Sequence, residues 1–92
     1  MEEQIAVSLH RIKKIIDNKM GKIFTTADIL REYSGGFYSN IRTPAGYSFN
    51  AQFGKLLKRN MSMLQITEAH ARVRIKDDNG NTTKTSEWEK NV

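Results

Sequence analysis

The side chains best suited to binding chemistry lie in residues 48–60, which read SFNAQFGKLLKRN. At 100° per residue, the apolar side chains of this segment fall on one face of a helix, at positions i, i+4, i+7 and i+8. We therefore predict a helix with an apolar back and a basic, amide-bearing front, which suits contact with a polyanion. The front and its flanks consist of Asn50, Ala51, Gln52, Gly54, Lys55, Lys58 and Arg59.

The basic charge of the chain is concentrated around this segment. The 92-residue chain carries a net charge of +5, and residues 47–76 alone hold six Lys and Arg against a single Glu. Residues 1–46 hold seven basic against five acidic side chains, and residues 77–92 hold two against four. Basic charge concentrated in one segment is typical of a phosphate-binding surface. The alternative is a solvated basic face that maintains solubility.

The polar residue types of the predicted helix are those that contact nucleic acids. Asn and Gln pair with adenine in the major groove, and Lys reaches guanine. Ser48 is the predicted N-cap, which would place backbone N–H groups near a phosphate. Gly54 either permits close approach to the nucleic acid or admits a neighbouring side chain at a helix crossing. The candidates for base contacts are Asn50, Gln52, Lys55 and Lys58.

A second basic stretch follows, in which the hydrophobic period changes from 3.6 to 2. From residue 69 to residue 76, Ala, Ala, Val and Ile alternate with His70, Arg72, Arg74 and Lys76. Such alternation is typical of a half-buried strand, here with a cationic outer face. We predict that its Arg and Lys side chains, with Arg59 of the helix, contact phosphates.

The dipeptide Asn79-Gly80 is a strong hairpin signal, so we predict a hairpin over residues 69–90 with its tip at residues 77–81. A bulge is expected near Thr67-Glu68, where the apolar phase changes. A two-residue turn sets the register of the two strands. It pairs Ile75 with Lys84, Arg74 with Thr85, Arg72 with Glu87 and Ala71 with Trp88.

The first half of the chain predicts two helices and a short strand. An apolar stripe at spacings of four and three indicates a helix over residues 3–20, and residues 22–25 read as a strand. Thr25 and Asp28 match a capping box that begins a second helix, and Gly35 ends it.

The segment between the second helix and residue 48 contains aromatic and basic side chains. We prefer the interpretation that Phe37 and Ile41 cover the core. Arg42 and Tyr47 stay open as candidate nucleic-acid contacts.

The order helix, short strand, helix, loop, helix and two-stranded hairpin resembles the winged helix-turn-helix family. The resemblance is one of architecture and covers nearly the whole chain, residues 1–92, as a single α+β domain. It implies three helices, with a recognition helix at residues 48–60 that lies in the DNA major groove. It also implies that the hairpin, residues 69–90, is a wing that contacts the flanking backbone or minor groove. Asp77 and Asp78 at the wing tip would be repelled by phosphate.

Other features of the sequence bear on the cellular location of the protein and on whether it is an enzyme. The chain has no cysteine and no apolar run of membrane-spanning length. We therefore expect a cytoplasmic, reducing location, with the nucleoid or nucleus as alternatives. His10 and His70 stand without a cysteine or clustered acids, and no phosphate-cradling glycine loop is present. We expect no enzymatic activity, no metal site and no cofactor.

The leading hypothesis is a small double-stranded DNA-binding protein in transcription regulation or an accessory role, as a homodimer or within a larger assembly. The first alternative is an RNA-binding module that stacks bases on aromatic side chains. The second is a protein-interaction or inhibitor protein, for example from a phage or mobile element, that uses the scaffold without binding nucleic acid. No membrane partner is expected.

Overall fold

The computed structural model describes residues 7–37 and 49–91. Within these ranges the chain forms four helices and one three-stranded antiparallel sheet with the strand order β1–β3–β2. This architecture confirms the α+β prediction. The elements are α1 (Leu9–Lys19), β1 (Ile23–Thr25), α2 (Thr26–Ser34), α3 (Phe49–Arg59), α4 (Met61–Leu64), β2 (Ile66–Lys76) and β3 (Thr82–Lys90).

The first helix is shorter at its start than the apolar stripe predicted. Ser8 is its N-cap, and the Ser8 hydroxyl accepts a hydrogen bond from the backbone N–H of Arg11 at 3.1 Å. A capping serine has extended backbone, so α1 begins at Leu9, and the prediction of helix at residues 7 and 8 was wrong. Residues 1–6 lie outside the described ranges.

The capping box predicted for the second helix is confirmed. The Thr25 hydroxyl accepts from the Asp28 N–H at 3.1 Å, and the Asp28 carboxylate accepts from the Thr25 N–H at 2.9 Å. Gly35 ends the helix with a φ of 86°, a left-handed conformation that favours glycine. Local sequence alone therefore specifies both ends of α2.

The chain between Arg59 and β2 contains a fourth helix, where the sequence predicted only a continuation of the apolar pattern. The turn at Asn60 interrupts the helix, and the Asn60 side-chain amide donates to the carbonyl of Leu56 at 2.8 Å. Gln65 then adopts a φ of 59° and directs the chain into β2. The prediction of three helices was therefore one too few.

One hydrophobic core joins the helices to the sheet. The Trp88 side chain is fully buried, and its indole N–H donates to the hydroxyl of Thr26 at 2.9 Å. Phe24 of β1 pairs with Trp88 in the sheet register. The apolar stripes of α1 and α3 point into this core. The core side chains from the helices include Ile12, Ile16, Ile29, Leu30, Phe53, Leu56 and Leu57.

The hairpin itself is present, but its predicted register was wrong. Ile75 pairs with Thr83 rather than Lys84, and Arg74 pairs with Lys84 rather than Thr85. The cause is the turn, which spans residues 77–81 instead of two residues. The Asp77 carboxylate accepts the N–H groups of Asn79 at 2.9 Å and Asn81 at 2.8 Å. A side chain that satisfies two backbone donors stabilises this longer loop.

The base of the hairpin contains two register shifts. The first lies between Glu68 and His70, next to the bulge predicted at Thr67-Glu68, and the second lies between His70 and Val73. As a result Trp88 pairs with Glu68 and Glu87 pairs with His70. The predicted pairs of Trp88 with Ala71 and Glu87 with Arg72 were therefore wrong.

Strand β2 is longer and less regular than predicted. It begins at Ile66, so the hairpin spans residues 66–90 rather than 69–90. Ala69 and Ala71, expected on the buried face, are both exposed. Each bulge inserts a residue into the strand and breaks the alternation of its two faces. None of the helices in residues 7–37 and 49–91 is long and apolar enough to cross a membrane.

Candidate nucleic-acid interface

The outer half of the β2–β3 hairpin has one covered face and one cationic face. Val73 and Ile75 are half-buried, and their partners Thr85 and Thr83 are buried and half-buried. Since side chains alternate along a strand, the intervening residues lie on the other face. That exposed face carries Arg74, Lys76, Thr82 and Lys84.

Two of these cations are direct cross-strand neighbours. Arg74 and Lys84 are paired in the register, so their Cβ atoms lie about 5 Å apart, and like charges in this position are destabilising. Arg72, two residues before Arg74, is also exposed, at the end of the second register shift. We name Arg72, Arg74, Lys76 and Lys84 the hairpin cations.

The described residues provide no carboxylate for this group. No ion pair or side-chain hydrogen bond joins the hairpin cations to any side chain in residues 7–37 and 49–91. Among the described residues, this face therefore carries positive charge without an acidic partner, which suits contact with an external anion.

The sequence reasoning missed Lys84. In the predicted register it lay opposite Ile75, on the covered face. The available signal was Asp77, because an Asp two positions before Asn-Gly can form an Asx turn and lengthen the loop.

The acidic residues at the hairpin tip are bound within the fold. Asp77 is buried and holds the turn. The carboxylate of Asp78 accepts from Arg31 Nε at 3.0 Å and from the Phe37 N–H at 2.9 Å, and the Asp78 N–H donates to the Phe37 carbonyl at 2.8 Å. These contacts join the tip to the end of α2. Both acids therefore have a role within the fold, and their repulsion of phosphate at the wing tip stays a prediction.

The electrostatics of Asp78 follow from these contacts. The hydrogen bond from the Phe37 N–H and the Arg31 guanidinium hold the pKa of the Asp78 carboxyl below its ordinary value. Both stabilise the ionised form, and partial desolvation opposes them only in part. Asp78 is therefore a permanent anion at neutral pH, with Arg31 as its counterion.

Helix α3 presents part of the predicted front. Lys55, Lys58 and Arg59 are exposed, and Asn50 is half-buried. Gln52 is only 4% exposed, and this burial is inconsistent with the predicted base contact. The fourfold spacing to the buried Leu56 explains it, because the two side chains lie on nearly the same side of the helix.

Gly54 lies on the exposed side of α3. A Cβ atom added at Gly54 meets no atom of the described residues within 4 Å. Those residues therefore do not require a glycine for a close helix crossing. The other interpretation, close approach to a ligand, stays a prediction.

Several residues of α3 are predicted to contact nucleic acid. Among the described residues, an ion-pair partner is identified for Lys58 alone of these. Its Nζ lies 3.3 Å from Oε1 of Glu68, at the base of β2. The other oxygen of Glu68 accepts from the Ser86 hydroxyl at 2.9 Å. The second acid of the hairpin base, Glu87, lies 2.8 Å from Nδ1 of His70.

Three candidates, Arg42, Tyr47 and Ser48, lie outside the described residues. The remaining candidates lie on α3 and on the β2–β3 hairpin, and the contact between Lys58 and Glu68 joins the end of α3 to the base of the hairpin. No protein-family model, curated protein or solved structure matches this chain.

Proposed function

We propose that this chain is a winged-helix module that binds double-stranded DNA, with α3 as the recognition helix and the β2–β3 hairpin as the wing. The order of elements supports this architecture. In the described residues a helix, a short strand, three helices and a hairpin follow one another, and the short strand β1 pairs with the last strand. The fourth helix, α4, is a single turn that connects α3 to the wing.

The observation that carries the proposal is the pairing of Arg74 with Lys84. Like charges in a direct cross-strand pair cost the fold about 0.2–1 kcal/mol relative to neutral residues. A phosphate between the two side chains would turn this repulsion into two charge-assisted contacts. Lys76 and Arg72 extend the cationic surface along the same strand.

The two elements have different roles in this proposal. The wing carries only Arg, Lys and Thr on its exposed outer face, which suits contact with phosphates. The recognition helix carries Asn50, Lys55 and Lys58, residue types that read base edges in the major groove.

Two observations favour duplex DNA over the alternatives. Trp88 is fully buried, so it provides no stacking surface for an unpaired RNA base. Asp77 is buried and the carboxylate of Asp78 is paired with Arg31, which makes both acids less suitable as contacts for a basic protein partner. Duplex RNA is also less suitable, because its deep and narrow major groove does not admit a helix.

The test is fluorescence anisotropy with duplex DNA, single-stranded DNA and structured RNA at about 50 and 200 mM salt. We expect the parent chain to prefer the duplex. With about six phosphate contacts, its affinity should fall on the order of a thousandfold between these salt concentrations. The variant Arg74→Ala/Lys84→Ala should bind the duplex more weakly. The slope of log binding constant against log salt concentration (the salt slope) should be smaller in magnitude by about two.

The matched control is Lys14→Ala/Lys19→Ala, which removes the same charge from exposed positions of α1. If both double variants bind alike, the hairpin is not the contact surface. Salt-independent binding by the parent chain would contradict the proposal as a whole.

A further inference from the structure

Glu68 occupies an unusual place for a carboxylate beside a surface that binds an anion. It is the only acidic residue in the basic segment 47–76. Its side chain is 19% exposed and lies where α3 meets the hairpin. In the register it is paired with Trp88, the residue at the centre of the core.

The two oxygens of Glu68 have separate partners. One accepts from the Ser86 hydroxyl of the neighbouring strand at 2.9 Å, which holds the carboxylate in a defined orientation. The other lies 3.3 Å from Nζ of Lys58. The acid is therefore the fixed member of the ion pair, and Lys58, with 65% of its side chain exposed, is the mobile member.

An exposed ion pair of this kind is weak. It shifts an equilibrium by at most a factor of about five, so a phosphate or a base edge in good geometry can displace it. A phosphate in poor geometry displaces Glu68 less readily, because Lys58 already has an anion at contact distance.

We infer that Glu68 is a specificity-determining residue that withholds Lys58 from phosphates of arbitrary duplex DNA. This inference rests on the proposed function, because it assigns a restraint to the same surface. Glu68 acts through Lys58. The ion pair lowers the affinity of the protein for duplex DNA of arbitrary sequence. Lys58 leaves Glu68 most readily at DNA sites whose groove presents a better hydrogen-bond acceptor. The hairpin cations have no such restraint among the described residues.

The test measures binding of a short duplex of arbitrary sequence by the parent chain and by Glu68→Gln at several salt concentrations. Gln has the shape of Glu and keeps an oxygen for the Ser86 hydroxyl, and thermal unfolding verifies that the variant is folded. We expect the variant to bind up to about fivefold more tightly at about 100 mM salt, the factor that the lost ion pair allows. Its salt slope should be steeper by about one, the value for one additional phosphate contact.

The matched control is Glu87→Gln, which removes the same charge from the same hairpin but contacts His70 rather than Lys58. The control should gain less affinity than Glu68→Gln. In the Lys58→Ala background, the gain from Glu68→Gln should fall to that of Glu87→Gln, because the lysine that it releases is absent.

The outcomes separate the inference from the proposed function. If the parent chain binds the duplex and Glu68→Gln binds no more tightly than Glu87→Gln, the inference is wrong and the proposed function stands. The inference is also wrong if the gain persists without Lys58. If the parent chain does not bind the duplex, both are overturned.

Discussion

The two halves of the β2–β3 hairpin differ in how their charges are compensated. At the base, Glu68 contacts Lys58, and Glu87 contacts His70. In the outer half, Arg74 lies opposite Lys84, and neither has an acidic partner among the described residues. The base also contains the buried Trp88, whereas one face of the outer half is entirely exposed.

This difference shows that basic residues close in sequence are not equally available to a ligand. Lys58 and Arg74 both belong to the basic segment 47–76, but among the described residues only Lys58 has a carboxylate at contact distance. The base of the hairpin is tied to the core through Trp88, whereas the outer face of the far half is exposed. Variants at the base, the tip and the outer face distinguish these parts of the hairpin.

The largest effect is expected at Trp88, the core residue of the hairpin base. Trp88→Ala should lower the free energy of unfolding by about 3–5 kcal/mol, because it leaves a cavity and removes the partner of the Thr26 hydroxyl. Urea denaturation followed by circular dichroism measures the loss. Ile23→Ala is the control, since Ile23 is 49% exposed on β1, and it should lose much less. Equal losses would contradict the assignment of Trp88 to the core.

A smaller effect is expected at Asp78, which joins the hairpin tip to α2. Asp78→Asn should lower the melting temperature at pH 7, because the hydrogen bonds to Arg31 and the Phe37 N–H lose their charge assistance. The pKa of Asp78 is lower in the folded than in the unfolded chain. Its stabilisation is therefore fully present above about pH 4 and is lost as the pH falls through the folded-state pKa.

Melting curves at pH 7 and near pH 2 test both parts of this prediction. The difference between the parent chain and Asp78→Asn should shrink at the lower pH, where the Asp78 carboxyl becomes protonated. Asp17→Asn, which removes an exposed ion pair within α1, is the comparison and should change the melting temperature less at pH 7. If the difference in melting temperature between the parent chain and Asp78→Asn is constant with pH, the charge of Asp78 does not stabilise the fold.

The smallest effect is expected in the outer half and has the opposite sign. Lys84→Thr should raise the free energy of unfolding by about 0.2–1 kcal/mol, because it removes the repulsion from Arg74 and introduces a residue that favours strands. Arg74→Thr should produce a similar gain, measured by urea denaturation. The double variant should gain less than the sum, since either change alone removes the repulsion. If each single variant instead lowers the free energy of unfolding and the two losses add in the double variant, both cations stabilise the hairpin.

The sequence predicted the features that depend on neighbouring residues. The capping box of Thr25 and Asp28 involves residues three apart, and the structure confirms it. The apolar stripe of α3 is also correct at Phe53, Leu56 and Leu57, because helical period alone assigns them to one side. The presence of a hairpin followed from alternation and from Asn79-Gly80.

Two errors have a common cause. Gln52 was assigned to the exposed front because a helical wheel provides angles but not the width of the face that its neighbours cover. The register was wrong because the Asp77 side chain stabilises a five-residue turn, and one residue of difference exchanges every cross-strand pair. The burial of Gln52 depends on which side chains compete for the same space, and the hairpin register depends on which groups compete for the same N–H donors.

The local sequence specifies the order of α1, β1, α2, α3 and the hairpin, though not the single turn α4. It also specifies the caps of α2 and the concentration of basic charge in residues 47–76. The tertiary structure decided which of those charges have partners. The contacts of Arg31 with Asp78, Lys58 with Glu68 and Trp88 with Thr26 join residues that are distant in the chain. Periodicity records only the interactions of near neighbours. The compensation of a charge depends on the packing of whole elements. Within the described part of the chain, this packing brings an acid to contact distance of Lys58 and none to contact distance of Arg74.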